Sequence, residues 1–317
     1  MINIFNKKTF QVAFVVVVTV VFIFFIQSHL DYLKKAASMS PLLIVAVISM
    51  DILSKACSGL KIKIVLKKFG IRLSFKEWYG LSSMSAYYNY FFSKSGTVLA
   101  ATYVRKKYGF NYSKYAGFLM GDVATVVIAS GVLGTVASLL WENFTKNSTH
   151  SIVVVSFFIL FVMASLVFFI PKFRLPKRGI MTKINSAMDG WYSVKAKPDI
   201  LVAMFFLNMA IIVIFAIRYY VLFRVFSDPV PFSICCLVSP LANLTQILSV
   251  VPSAYGLREA VMGGMTKLYD FGFVSGAIVS IIDRVIMMLV FFILGPLFTY
   301  MLMKKTGYDR EDRRDAE

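Results

Sequence analysis

The sequence predicts an all-α polytopic membrane protein with about six transmembrane helices and two re-entrant helical hairpins in an inverted repeat. Hydrophobic residues make up 58% of its 317 residues, and its mean hydropathy of +0.74 is far above that of a soluble domain. Several apolar runs approach or exceed the roughly 20 residues needed to span a hydrocarbon core. Basic residues lie mostly between those runs, as expected of a chain that crosses a membrane several times.

The charge balance and the cysteine and histidine positions exclude several classes of site. The 34 Lys and Arg residues against 16 Asp and Glu give a formal charge of +18. Since these charges sit between hydrophobic spans, they indicate cytoplasmic loops and contact with anionic lipid heads, and no nucleic-acid partner is expected. Cys57, Cys235 and Cys236 lie in apolar runs, and His29 and His150 are far apart. No disulfide framework, metal site or cofactor is predicted.

Three spans are predicted in the first half of the chain, at about residues 10–26, 41–60 and 115–140. No small-residue cleavage site follows the first span, which is interpreted as an anchor rather than a removed signal peptide. An apolar stretch at about residues 78–107 begins beside a basic loop and ends at a basic cluster. Because basic segments stay in the cytoplasm, both ends of this stretch are placed there, and it is predicted to be a re-entrant hairpin.

The second half repeats this order, with spans predicted at about residues 151–170, 200–223 and 271–303. A basic segment follows the first of these spans, and its amphipathic part is predicted to lie on the inner leaflet. A second re-entrant hairpin is predicted at about residues 232–270, entering from the outside, because the last span ends at basic residues. Both termini are therefore predicted to be cytoplasmic.

The two predicted repeats, residues 1–145 and 146–308, form a single membrane domain, and residues 309–317 form a charged tail predicted to be disordered. Each repeat contains three crossings, an odd number, so the repeats are inverted relative to each other. Asp51 and Asn208 both fall about ten residues into the second span of their repeat. Inverted repeats with broken helices that meet near the membrane midplane are a recurrent transporter plan.

Glycine and aspartate spacing supports the internal repeat. Gly96 precedes Asp122 by 26 residues, and Gly256 precedes Asp283 by 27 residues. Both aspartates sit well inside the span that follows their hairpin. An ionisable side chain within the membrane is costly, so each of these carboxylates is a candidate for a functional site.

A charged motif interrupts the second predicted hairpin. Residues 252–260 read Pro-Ser-Ala-Tyr-Gly-Leu-Arg-Glu-Ala, and Asp283-Arg284 follow in the next span. Together with residues 95–109, this motif resembles the signature of the lysylphosphatidylglycerol synthase transmembrane-region family, over most of the chain. That family includes the flippase half of bacterial multiple peptide resistance factors and stand-alone members of largely unassigned role. The resemblance implies a bacterial plasma-membrane protein that handles anionic or aminoacylated lipids.

The chain departs from the family pattern in two ways. Family members usually carry more glycines before the Arg-Glu pair, where this chain has Ser253, Ala254 and Tyr255, so a less close approach of the backbone to a ligand is expected. No soluble domain that could attach an amino acid follows the last span, so lipid aminoacylation is not expected. The protein is predicted not to be an enzyme.

Arg258 and Glu259 are the leading candidates for substrate binding. A guanidinium can hold a phosphate through two hydrogen bonds, and Glu259 could orient Arg258 or change protonation during transport. The alternative is a structural ion pair that closes the hairpin onto a neighbour. Asp122, Asp283 and Arg284 are further candidates. Arg284 is expected to reach Asp122 or Glu259, either as a lock between helices or as part of a proton or substrate site.

The breaks in the two hairpins supply the remaining candidates, Lys94 and Gly96 in the first and Gly256 in the second. The exposed N-terminus of a half-helix presents free N–H groups that favour anions. Lys94 could add its charge to such an anion site, or could simply extend to water.

Charged residues elsewhere in the spans are interpreted as structural or interfacial. Asp51 and Lys55 lie four residues apart on one helix face, which favours a self-neutralised pair. Arg218 and Arg224, near the outer end of their span, are expected to extend to the lipid head groups. Lys61 is assigned to the basic loop after the second span.

The leading functional hypothesis is a transporter or flippase for a lipid with an anionic or aminoacylated head group, which passes through a charged cavity between the hairpins. The alternative is a non-catalytic membrane partner of a glycosyltransferase or another envelope-lipid assembly enzyme. A small-solute transporter and an intramembrane enzyme are less favoured, the latter because no Ser/His, Cys/His or metal-ligand constellation occurs. Membrane lipids are the expected partners in the bacterial inner membrane, and a homodimer is left open.

Overall fold

The computed structural model describes residues 39–142, 148–172, 174, 176, 180–224, 230–248, 254 and 256–306. This part of the chain is all-helical and contains no strand. The bounds of its helices are α1 Pro41–Lys68, α2 Phe75–Phe91, α3 Ser95–Tyr108, α4 Tyr112–Glu142, α5 Ser148–Leu166, α6 Ile180–Lys195, α7 Pro198–Phe223, α8 Phe232–Leu248, α9 Leu257–Leu268 and α10 Phe273–Thr306.

Four of these helices, α1, α4, α7 and α10, are long and apolar enough to cross a membrane. Helices α5 and α8 are apolar but shorter. The all-α membrane fold class is therefore confirmed. The predicted span at residues 10–26 and the tail at residues 309–317 lie outside the described residues. The count of six crossings, the re-entrant hairpins and the inverted repeat stay predictions.

Helix α1 extends well beyond its predicted end at residue 60. Ser40 accepts a hydrogen bond from the Leu43 N–H at its N-terminus, Pro41 occupies the first turn, and the helix ends at Lys68 beside Gly70, whose φ is 86°. No glycine or proline interrupts the basic residues after position 60, so the helix continues through them. The assignment of Lys61 to a loop was therefore wrong, because it lies inside α1 and is buried.

Helices α2 and α3 form a hairpin. The carboxylate of Glu77 joins the start of α2 to the end of α3, at the end of the hairpin opposite its tip. Lys107 Nζ lies 2.5 Å and the Tyr108 hydroxyl 2.6 Å from Glu77 Oε1, and the N–H and hydroxyl of Ser74 donate to Oε2 at 2.8 Å. Burial raises the pKa of Glu77, but these hydrogen bonds outweigh it and lower the pKa from 4.5 to about 2. The start of α2 and the end of α3 are thus held together.

We expect Glu77→Gln to destabilise the folded protein by about 1–3 kcal/mol, because buried hydrogen-bond donors lose a charged acceptor. Since the folded pKa lies below the unfolded value, this stabilisation is present above pH 4.5 and is lost as the pH falls toward about 2. In mixed micelles the free energy of unfolding should therefore differ between parent and variant near neutral pH, and this difference should be smaller at about pH 3. Asp199→Asn, which removes a half-exposed carboxylate paired with Lys68, should have little effect. Equal stability of Glu77→Gln and parent at neutral pH would contradict this role.

The helices pack in pairs that correspond between the two halves of the chain. Helix α1 packs against α7, while α2 of the first hairpin packs against α10 and α8 of the second hairpin packs against α4. Each hairpin therefore rests on the last long helix of the other half. Helix α6 lies along α4 and α7, where its Trp191 is buried.

The second arms of the two hairpins differ in how closely they pack. Helix α9 packs along α10, where a Cβ at Gly276 would lie only 2.4 Å from the Met262 carbonyl oxygen, and Thr266 donates to the Gly272 carbonyl at 2.8 Å. Helix α3 has few contacts with the corresponding helix α4. The space between α3 and α4 is left open and contains the cavity described below.

Candidate functional site

A buried cluster around Lys61 joins three of the long helices. Lys61 Nζ on α1 lies 2.7 Å from Asp122 Oδ1 on α4, and it donates to Asn208 Oδ1 on α7 at 2.7 Å. The Asn208 amide in turn donates to Asp122 at 3.1 Å and to Thr125 at 3.0 Å. The Lys61 side chain is 7% exposed and that of Asp122 is 26% exposed. This cluster is therefore neutral overall and is open to solvent on its Asp122 side.

A second cluster around Arg218 is sealed. Arg218 Nη1 on α7 lies 3.1 Å from Asp51 Oδ1 on α1, and its Nε lies 2.6 Å from Asp283 Oδ1 on α10. Arg258 also pairs with Asp283 and donates to the Tyr219 hydroxyl at 2.6 Å. The side chains of Arg218, Asp51 and Asp283 are 0% exposed. Two arginines and two aspartates therefore balance each other in the interior of the helix bundle.

The two clusters occupy corresponding positions in the two halves of the chain. In each, a cation on α1 or α7 pairs with the aspartate of its own half, Asp122 or Asp283. A polar side chain from the other half completes each cluster, Asn208 for Lys61 and Asp51 for Arg218. Because Asp51 and Asn208 each lie ten residues before the cation of their own helix, the arrangement repeats with α1 and α7 exchanged.

Glu259 holds the start of α9 against α10. Its Oε2 accepts from the Gly256 N–H at 2.9 Å, while its Oε1 lies 2.8 Å from Arg284 Nη2 and 3.3 Å from the Ser280 hydroxyl. Gly256 has a φ of 79°, which an L-residue rarely adopts. The expectation that Arg284 reaches Glu259 is confirmed, and the alternative partner, Asp122, pairs with Lys61 instead.

The tip of the first hairpin is fixed by hydrogen bonds and close packing around Gly96. The Gly96 N–H donates to Asn89 Oδ1 at 2.9 Å, and Ser85 donates to the Gly96 carbonyl at 3.0 Å. A Cβ on Gly96 would lie 2.1 Å from the Ser85 carbonyl oxygen, so only glycine allows α2 and α3 to approach this closely. Lys94 precedes α3 with a φ of 64°, and its Nζ reaches the Gln246 carbonyl of the second hairpin at 3.4 Å.

A cavity of about 320 Å³ lies where the tips of both hairpins meet α1 and α4. Four cationic side chains and one carboxylate line it, together with several hydroxyl and amide groups; the charged ones are Lys55, Lys61, Lys94, Arg258 and Asp122. The N-termini of α3 and α9 also start at this cavity and add positive helix-dipole ends. The cavity is therefore suited to a small anionic group.

Lys55 lies in this cavity beside an aromatic ring. Its Nζ lies 4.5 Å above the ring of Phe291 on α10, and in the described part of the chain no carboxylate forms an ion pair with it. The interpretation of Asp51 and Lys55 as a self-neutralised pair was wrong, because Asp51 pairs with Arg218. The N–H groups of Lys55 that do not face the ring can donate to an anion in the cavity.

The predicted site residues fall into three groups. Lys94, Asp122 and Arg258 line the cavity, whereas Glu259, Arg284 and Asp283 lie in ion pairs behind it, and Gly96 and Gly256 shape the hairpin tips. The expectation that Arg218 extends to lipid head groups was wrong, since it is fully buried. Sequence reasoning missed Lys55 and Lys61, for which the continuous helical pattern through residue 68 was the available signal.

Residues 5–295 match the family described as the lysylphosphatidylglycerol synthase TM region. The chain belongs to this family. The resemblance inferred from the motif around Arg258 and Glu259 is thereby confirmed, and with it the assignment to a membrane protein of the lysylphosphatidylglycerol synthase TM type.

A relative from Methanothermobacter thermautotrophicus, named UPF0104 membrane protein, is 33% identical over 84 residues. This match spans 26% of the present chain and 25% of the relative, so it covers about a quarter of each protein. No solved structure matches the chain at a significant level.

Proposed function

We propose that this protein moves a membrane lipid with an anionic head group between the two leaflets of the bacterial plasma membrane. The observation that carries the proposal is the cationic cavity between the hairpin tips, where four cations face one carboxylate. A phosphate in this cavity would find charged donors in Lys55 and Lys94 and two helix N-termini. An aminoacylated head group adds a positive charge, so the charge of the cavity favours an unmodified phosphate-bearing lipid over its lysyl ester.

The proposed orientation rests on basic residues that gather at one end of the helix bundle. Lys107 closes the first hairpin there, Lys68 pairs with Asp199, and Lys114 and Lys197 lie over the ring of Phe69. Under the positive-inside rule this end is cytoplasmic, together with both termini of the chain. The first hairpin then enters the membrane from the cytoplasm, and its cavity faces that side.

The proposed transport mechanism exchanges the packing of the two hairpins. In the present arrangement α9 is packed along α10, and α3 leaves an open cavity beside α4. The converse arrangement would close α3 onto α4 and release α9 from α10, which would expose the lipid head to the other side. Any energy input would come from an ion gradient or from the lipid gradient itself.

We expect Lys55→Gln and Lys94→Gln each to reduce movement of phosphatidylglycerol at least about tenfold, because a charged hydrogen bond to phosphate is worth about 1.5–3 kcal/mol. Movement would be measured with fluorescent lipids in proteoliposomes, with a panel of phosphatidylglycerol, its lysyl ester, phosphatidylethanolamine and a polyprenyl phosphate. Lys67→Gln is the matched control, since Lys67 is an exposed lysine that lies on α1, like Lys55, but outside the cavity.

Three outcomes of this measurement would change the proposal. Faster movement of the lysyl ester than of phosphatidylglycerol would mean that the cavity charge does not select the substrate. Movement of a water-soluble anion without lipid would favour a small-solute transporter. No movement of any lipid by folded parent protein would favour the second candidate, a non-catalytic partner of a glycosyltransferase or another envelope-lipid assembly enzyme.

A further inference from the structure

A second cavity, of about 560 Å³, lies between α4 and α5 above the buried Trp191 of α6. All of its lining side chains are aliphatic, methionine or the indole of Trp191. Val123 on α4 and Met163 on α5 are exposed along its open side, so this groove faces outward from the helix bundle. The groove thus contrasts with the cationic cavity in its chemistry, although both border α4.

The groove and the cationic cavity meet at Leu119, which lines both of them. Asp122 faces the cationic cavity, and the next residue, Val123, faces the groove, because successive helical residues point about 100° apart. A change from charged to apolar surroundings therefore occurs across one face of α4. A molecule that fills both spaces must carry a charged group and an apolar chain next to each other.

We propose that the α4–α5 groove holds a hydrocarbon chain of the same lipid whose head group occupies the cationic cavity, with Leu119 at the junction. This inference rests on the proposed function, because it assigns a chain site to the lipid that is moved. A lipid chain gains little free energy from the hydrophobic effect when it enters the groove, since bulk lipid is as apolar as the groove lining. Its effect is instead to hold the chain beside the cavity and so to raise the local concentration of the head group.

The test uses the full chain in nanodiscs of zwitterionic phosphatidylcholine and a phosphatidylglycerol probe with a photoreactive diazirine in one chain. We expect labelling on α5 around Met163, and we expect competition by unlabelled phosphatidylglycerol but not by phosphatidylcholine. Leu119→Trp, which would fill the junction, should reduce this competed labelling at least about tenfold, a change of about 1.4 kcal/mol. Val136→Trp, on the exposed face of α4 away from both cavities, should leave it unchanged.

A parallel binding measurement with glycerophosphoglycerol, the head group without chains, separates the chain site from the head site. Val123→Trp, at a groove residue that does not line the cationic cavity, should reduce the competed labelling but leave binding of this soluble probe within about twofold of the parent. Labelling that is absent from α5, or that phosphatidylcholine competes equally well, would overturn the groove as a chain site. So would an equal loss of lipid and head-group binding in Val123→Trp. If the parent shows competed labelling but no lipid movement, the groove stands and the proposed translocation fails.

Discussion

Arg218→Met is expected to lower the free energy of unfolding by about 3–5 kcal/mol, because it removes the ion-pair partner of the buried Asp51 carboxylate. Asp51 and Arg218 are both 0% exposed, so water cannot solvate the remaining charge. Asp283 keeps Arg258 as its partner, which confines the defect to Asp51. Titration with a denaturing detergent in mixed micelles would measure the loss.

A compensating change makes this prediction specific. Asp51→Asn alone should also destabilise the protein, because Arg218 and Arg258 would then share the single carboxylate of Asp283. The combination of Arg218→Met and Asp51→Asn removes one charge of each sign and should return to within about 1–2 kcal/mol of the parent. Arg224→Met is the matched control, since Arg224 is exposed at the C-terminal end of the same helix. If the double variant loses as much free energy of unfolding as the two single variants together, the cluster does not stabilise the fold through charge balance.

Lys61→Met is expected to affect lipid movement far more than stability. Its partner Asp122 is 26% exposed at the cavity wall, so water can solvate the carboxylate that the variant leaves unpaired, and Asn208 still donates to it. The unpaired Asp122 would then repel an anionic head group within the cavity. We expect at least about a tenfold loss of phosphatidylglycerol movement, with a stability change of about 1 kcal/mol or less.

A double variant that restores the net charge of the cavity distinguishes an effect of charge from a direct contact between Lys61 and the substrate. In Lys61→Met combined with Asp122→Asn, the cavity has the same net charge as in the parent, and movement should recover to within about threefold. Lys67→Met, on an exposed turn of the same helix, should change neither movement nor stability. If the double variant moves lipid as slowly as Lys61→Met, Lys61 itself contacts the substrate. If Lys61→Met moves lipid at the parental rate, the Lys61–Asp122 pair does not take part in transport.

The positions of the long helices could be read from the sequence because the membrane imposes a length and an apolar composition on every span. The helices α4, α7 and α10 begin and end within a few residues of their predicted bounds. The end of α1 lies beyond its predicted position, because a run of lysines is typical of the membrane surface but does not stop a helix. Helices continue past that surface when nothing in the backbone stops them, and α1 does so up to Gly70.

The ion pairs could not be read from the sequence, because charged residues on different helices choose their partners through packing. Local spacing suggested Asp51 with Lys55, but the buried partner of Asp51 is Arg218, 167 positions away. The matching depths of Asp51 and Asn208 were visible in the sequence. Only the packing of α1 against α7 turned that match into two corresponding clusters.

The sequence by itself determined the membrane class, the helical segments, the family and the candidate residues at the two hairpin tips, because composition, periodicity and a short motif are local properties of the chain. The tertiary structure decided which of those residues face a cavity and which are neutralised behind it. Arg258 is partly committed to Asp283, whereas Lys55 lies over the ring of Phe291 and has no ion pair within the described helices. This division depends on how helices from both halves pack, since a buried charge is stable only where another helix brings its partner.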